Sequence, residues 1–163
     1  MATATALKVT TPSDIEIQLT REFNAPRDLI FRAFTDPKHI PQYWGRRKDT
    51  TTVDVMDVRP GGKWRFLTKA DDGDHAFRGE FREIVPPEKI VWTFEWEGLP
   101  GHISTETWIL EDIGGGRTRM VATSRFDSKE DRDGMLQSGM ESGARELYDR
   151  LEELLDLLKA KAR

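Results

Sequence analysis

The chain contains no cysteine. Disulfides, thiolate nucleophiles and cysteine-ligated zinc are therefore excluded. No stretch approaches the ~20 apolar residues of a membrane-spanning helix. The N-terminus lacks a basic segment followed by an apolar one, so no secretory signal is expected and the cytoplasm is the expected location. Charge of one sign is missing too: 25 basic and 29 acidic residues leave a formal net charge of −4. No basic block stands out that could track a phosphate backbone, which argues against a nucleic-acid partner. The three histidines, His39, His75 and His102, are far apart and lack ligand spacing such as His-x-x-x-His, so no metal is expected. Gly61-Gly62 and Gly114-Gly115-Gly116 lack the Lys-Ser/Thr ending of a phosphate loop. Asp71, Asp72 and Asp74 do not follow an EF-hand order, and no Gly-x-Ser-x-Gly elbow occurs. No catalytic residue and no cofactor is assigned.

What the chain does have is aromatic side chains in quantity: 5 Trp, 8 Phe and 2 Tyr in 163 residues. That argues for a packed domain rather than disorder, and the length suits one domain of roughly 100–200 residues. Residues 1–13 are small and Thr-rich and read as a flexible tail, leaving 14–163 as the single domain. Ile15, Ile17 and Leu19, then Phe23, alternate as a first strand. Pro26 suits the first position of a short helix striped by Ile30, Phe31, Ala33 and Phe34. Asp36-Pro37 ends it and begins a second short helix that runs to Trp44.

Six strand patterns with short turns follow, the signature of an antiparallel meander. Arg59-Pro60-Gly61-Gly62 and Asp72-Gly73 are turn signals. The alternating faces carry Trp64 and Phe66, Phe77 and Phe81, and Trp92, Phe94 and Trp96. After Ser128, which begins a capping pattern, apolar residues recur every three or four positions from Leu136 to Leu158. This predicts one amphipathic helix of about thirty residues, ~45 Å long. Only the aromatic face of the sheet is large enough to cover it. Gly139 and Gly143 interrupt the stripe at ~1 kcal/mol each relative to alanine. Either they let helix and sheet approach closely, or they keep bulk out of a space between them.

The chain resembles a known family through Gly61-Gly62-Lys63-Trp64-Arg65-Phe66, the run from Gly79 to Val91 that includes Pro86-Pro87-Glu88-Lys89-Ile90, and Gly116-Arg117-Thr118-Arg119-Met120. Ala25-Pro26, Phe34-Thr35-Asp36-Pro37, Tyr43-Trp44, Gly139 to Gly143 and Leu151 to Leu155 complete the pattern. It is similar to the activator of Hsp90 ATPase homologue-like family, within the START/Bet-v-1-like (SRPBCC) superfamily. The resemblance implies an α+β helix-grip fold: a curved seven-stranded antiparallel sheet around a long C-terminal helix, with two short helices at one end. It also implies a cavity between sheet and helix. Superfamily members bind lipids, hormones and polyketides, and some are cyclases or hydrolases.

The expected function is binding of a small hydrophobic or aromatic molecule in that cavity. The candidate lining is Trp44, Trp64, Phe66, Phe77, Phe81, Trp92, Phe94, Trp96, Trp108, Met120, Met140 and Gly143, with His102 at the mouth. The strand near Glu106 has two open phases. Glu106 and Trp108 face inward, or Thr105, Thr107 and Ile109 do. An inward Glu106 would be a buried carboxyl, which needs a partner or a raised pKa. Thr68 and Ser124 are milder polar candidates; His39 and His75 read as surface or loop residues. Two other readings stand beside binding. One is a cyclase- or hydrolase-type enzyme pairing Glu106 with His102 or an inward arginine. The other is a chaperone-associated interaction module. A monomer or a homodimer fits, since exposed edge strands can pair.

Overall fold

The computed structural model describes residues 6–161. Eight strands form one antiparallel sheet: β1 (Lys8–Thr10), β2 (Glu16–Phe23), β3 (Thr50–Met56), β4 (Lys63–Ala70), β5 (Gly73–Val85), β6 (Lys89–Trp96), β7 (Ile103–Gly114) and β8 (Arg117–Arg125). Their order is β1-β2-β8-β7-β6-β5-β4-β3. The meander from β3 to β8 is as expected, and β2 closes on its end by pairing with β8. Helices α1 (Arg27–Thr35) and α2 (Ile40–Tyr43) sit in the crossover from β2 to β3. The sheet has eight strands where seven are expected. The extra one comes from the segment read as a tail, because Lys8–Thr10 pairs with Gln18–Thr20 and Leu7 is buried. Residues 1–5 of that expected tail lie outside the described residues.

Local chemistry explains much of this. Gly62 N–H bonds Arg59 C=O at 2.8 Å, and Gly61 has φ +83°, so Pro60-Gly61 forms the predicted turn with glycine at its left-handed position. Ladder shifts at Val53/Val55 and Phe81/Glu83 are bulges, which bend a strand and help to curl a sheet. Gly79 has a different purpose. A Cβ there would lie 2.5 Å from Trp64 Nε1 and 1.8 Å from Thr93 C=O. The Trp64 indole crosses the bare backbone and donates to Thr93 C=O at 3.2 Å.

The C-terminal helix departs from expectation. It is two helices, α3 (Lys129–Gln137) and α4 (Met140–Lys161), not one of thirty residues. Ser128 caps α3 as its sequence suggests, its hydroxyl accepting from Asp131 N–H at 3.1 Å. The break lies at Gly139, whose φ of +83° is left-handed. Gly139 is therefore a helix terminator and not a packing glycine inside a helix. The periodic apolar stripe continues across the break and so conceals it in the sequence.

The core lies where β2, β8, β7 and α1 meet the C-terminal half of α4. Phe23, Ile30, Leu110, Met120, Leu151 and Leu155 are fully buried there. Arg21 is also buried on this inner face. It holds α4 through Asp149 at 2.9 Å and lies 4.9 Å above the Phe23 ring. At the other end Arg150 reaches back from α4 to the carbonyls of Gln42, Trp44, Gly45 and Arg46. These bonds satisfy carbonyl groups at and beyond the end of α2 and fix the position of Trp44.

The two glycines of α3 and its end should behave oppositely. Gly139→Ala forces a side chain into a left-handed conformation and should destabilise the fold by about 1–2 kcal/mol. Gly134→Ala, inside α3 with open space around its Cβ position, should stabilise it by roughly 0.5–1 kcal/mol. Urea unfolding of the two variants measures both.

Candidate ligand cavity

Between the sheet, α2 and the α3–α4 pair lies a cavity of about 760 Å³. It exists because α4 meets the sheet unevenly. Tyr148, Leu151, Leu154 and Leu155 are buried, whereas Met140, Ala144 and Leu147, nearer its start, are only half-buried and line the cavity. Gly143 lines it too, and a Cβ there would meet nothing within 4 Å. Of the two sequence explanations for this glycine, open space is the observed one.

The structure brings most of the expected lining together. Trp44, Phe77, Phe81, Trp92, Phe94, Trp96, His102, Glu106, Trp108, Met140 and Gly143 all border the cavity. Trp96 stands at the rim, 39% exposed. Three expected residues do not line it. Trp64, Phe66 and Met120 are fully buried and form the layer behind the wall. Trp64 stacks on Trp92 with centroids 4.0 Å apart and planes 17° apart, so it supports the wall ring from behind. Alternation places a residue on the inner face, but depth within that face depends on sheet curvature.

The aromatic wall is held edge to face. Trp92 and Trp108 meet at 5.0 Å and 85°, and Trp44 meets Phe66 at 5.0 Å and 78°. Phe77 and Phe94 stack at 5.5 Å. Sequence reasoning missed several neighbours. His75, read as a loop residue, lies on β5 and borders the cavity, with Nε2 2.9 Å from Asp72 Oδ1. Phe34, Tyr43 and Tyr148 also line it. The helical period marks Tyr148 as inward, but the apolar stripe drawn through leucines passes over it.

Glu106 is the main polar feature. The register settles the phase of β7: Ser104, Glu106 and Trp108 face inward, and Glu106 pairs across to Trp92 and Ser124. Its carboxyl accepts from Trp92 Nε1 at 2.7 Å and from Ser124 Oγ at 2.9 Å. Burial pushes its pKa up, and these two hydrogen bonds only partly oppose that. Among the described residues no salt bridge reaches it. The nearby Tyr148 hydroxyl is pushed up to about 12, first by burial, while Trp108 Nε1 acts in the opposite direction. Burial also raises Tyr43 well above its ordinary value; its hydroxyl donates to Ala33 C=O at 3.0 Å.

His102 does not pair with Glu106. Its Nδ1 lies 2.8 Å from Asp131 Oδ1, tying the approach to β7 to the start of α3 at the cavity mouth. The inward arginine Arg21 is taken by Asp149 and Glu152. No described cluster of three metal-ligating side chains occurs, and no described helix is long and apolar enough to cross a membrane. Chemically, the cavity offers a large apolar surface and one carboxyl hydrogen-bonded by two neutral donors.

The family model described as Activator of Hsp90 ATPase homolog 1-like protein matches residues 24–156, and the chain belongs to that family. No curated protein matches the chain. Among solved structures it is similar to protein Ms6760 of Mycobacterium smegmatis, with TM-score 0.83 and 24% identity over 92% of this chain and 97% of that one. A Rhodobacter sphaeroides protein gives TM-score 0.86 at 22% identity over 93% and 99%. A Silicibacter pomeroyi protein gives 0.72 at 22% over 87% and 98%. At these identities the likeness establishes the α+β fold.

Glu106 should cost the empty protein stability. Its folded pKa is raised above the ordinary 4.5, so the folded state holds its proton more tightly than the unfolded state. Stability contributed by the protonated form is present below 4.5 and is lost as pH rises through the folded value. Glu106→Gln keeps an acceptor for Trp92 and can donate to Ser124. It should raise the unfolding midpoint at pH 8 by a few degrees, since ~1 kcal/mol moves a domain this size by about 2–4 °C. The gain should shrink towards pH 4.5. A variant less stable than the native protein at every pH would contradict the buried-carboxylate account.

Proposed function

We propose that this family member binds a small hydrophobic or aromatic molecule in the cavity between the sheet and α4. The observation that carries the reading is Gly143, a helical glycine with open space at its Cβ, facing an aromatic wall across about 760 Å³. Alanine there would favour the helix by up to ~1 kcal/mol without any clash, so packing does not account for glycine. Room for a ligand does. The volume suits small-molecule pockets, which span roughly 300–1,000 Å³ and combine apolar walls with few polar groups.

Affinity would come from ring burial at ~25 cal/mol per Å², less the cost of ordering the ligand. Trp96 and Leu99 are exposed at the cavity border and offer an apolar approach. An acid–base enzyme fits less well, because His102 and Arg21, which would have to act with Glu106, are engaged by other carboxylates.

The test uses N-phenyl-1-naphthylamine, a neutral fluorophore that brightens in apolar sites. The native protein should bind it. Gly143→Leu should weaken binding by about ten-fold or more while keeping or raising the unfolding midpoint, because leucine favours helix and meets open space. Unchanged binding by the variant, or no binding by the native protein, would remove the cavity reading.

A further inference from the structure

Glu106 is a cavity-lining carboxyl with no described cation paired to it. Each carboxyl oxygen accepts one hydrogen bond from a neutral donor, Trp92 Nε1 or Ser124 Oγ, and each retains a lone pair. Among the described residues no salt bridge reaches Glu106, although Arg46 lines the same cavity. Arg21, the buried arginine on the same inner face, is held by Asp149 at 2.9 Å and Glu152 at 3.8 Å. At the mouth His102 is held by Asp131 and His75 by Asp72. A carboxylate facing an apolar cavity with no countercharge is costly unless something supplies one.

Two further features favour the same sign of ligand. The rings around the cavity, Trp44, Phe77, Trp92, Phe94 and Trp108, offer π faces whose quadrupole attracts cations. The lining carries Asp49, Glu130 and Asp131 against Arg46, with His102 on Asp131 and His75 on Asp72, so acidic groups outnumber the one fixed cation around the cavity. Tyr43 and Tyr148 add two neutral hydroxyls and no charge. An anionic ligand would meet like charge at the border.

We propose that the cavity takes an aromatic or alicyclic amine in its protonated form, with the ammonium group on Glu106 and the apolar body among the rings. This rests on the cavity-binding reading. A charge-assisted bond from ammonium to carboxylate is roughly twice as strong as a neutral one, and the ammonium replaces the missing countercharge. A neutral alcohol of the same shape would form only an ordinary hydrogen bond with Glu106. An acid would have to bring a second negative charge into the same enclosure.

The experiment compares three ligands of one shape at pH 7: 2-(1-naphthyl)ethylamine, 2-(1-naphthyl)ethanol and 1-naphthaleneacetate. Each is titrated into the full chain by displacement of N-phenyl-1-naphthylamine and by calorimetry. The amine should bind about ten-fold or more tighter than the alcohol, with the acid weakest. The Trp92 indole N–H resonance, a reporter beside Glu106, should shift most with the amine. Glu106→Gln should bring amine and alcohol within about two- to three-fold of each other. Equal or tighter binding of the alcohol or the acid by the native protein overturns the proposal, as does an amine preference that survives in Glu106→Gln. Should that variant not fold, the native ranking and the Trp92 resonance decide. Binding of the fluorophore without amine preference removes this inference alone. Failure of the fluorophore to bind removes the cavity reading with it.

Discussion

Everything distinctive about this protein depends on α4 packing against the sheet along only part of its length. Leu151, Leu154 and Leu155 are packed into the core with hardly any surface left to water. One to three turns earlier, Met140, Gly143, Ala144 and Leu147 face the same sheet across a gap. A helix is rigid over this distance and the sheet curls away from it at the bulges, so contact at one end implies separation at the other. Arg21 holds α4 through Asp149, and the next residue, Arg150, holds the α2–β3 connection. Around the cavity, by contrast, the α4 side chains are only half-buried.

What shapes it is a balance of apolar surface and one misplaced polar group. The wall rings are held by other rings, Trp64 against Trp92 and Phe66 against Trp44. Into this wall β7 inserts Glu106, where alternation alone would accept another aliphatic residue without loss. Its two hydrogen bonds orient the carboxyl but do not neutralise it. A carboxyl placed this way in a cavity wall is what the proposed ligand would engage. Gly143 belongs to the same pattern, as a residue that weakens its helix and enlarges the cavity.

Family and fold were readable because they rest on local patterns repeated along the chain. Strand alternation from Trp64 to Phe126, the Pro60-Gly61 turn and the capping serine Ser128 each follow from short-range chemistry, and each appears as expected. Three features were not readable, for separate physical reasons. Gly139 reverses its φ without disturbing the apolar period, so the helix break stays hidden. Lys8–Thr10 is too short and polar to announce a strand, and it becomes one because β2 leaves an edge to pair with. His75 is close to a turn signal, yet the long β5 hairpin carries it back to the cavity rim.

The division between the two levels is clearest at the site. The sequence by itself determined an antiparallel aromatic sheet and a long amphipathic partner helix, because periods of two and 3.6 residues encode which side of an element faces inward, while its motifs carried the family resemblance. It could not determine depth, since Trp64 and Trp92 have the same alternation although one is buried behind the other. Nor could it choose the phase of β7, where threonines and Glu106–Trp108 competed as inward sets. Only pairing with β6 and β8 decided that, because register is a property of neighbouring strands. The cavity itself is a distance between a helix and a curved sheet, and a distance between elements exists only once the chain has folded.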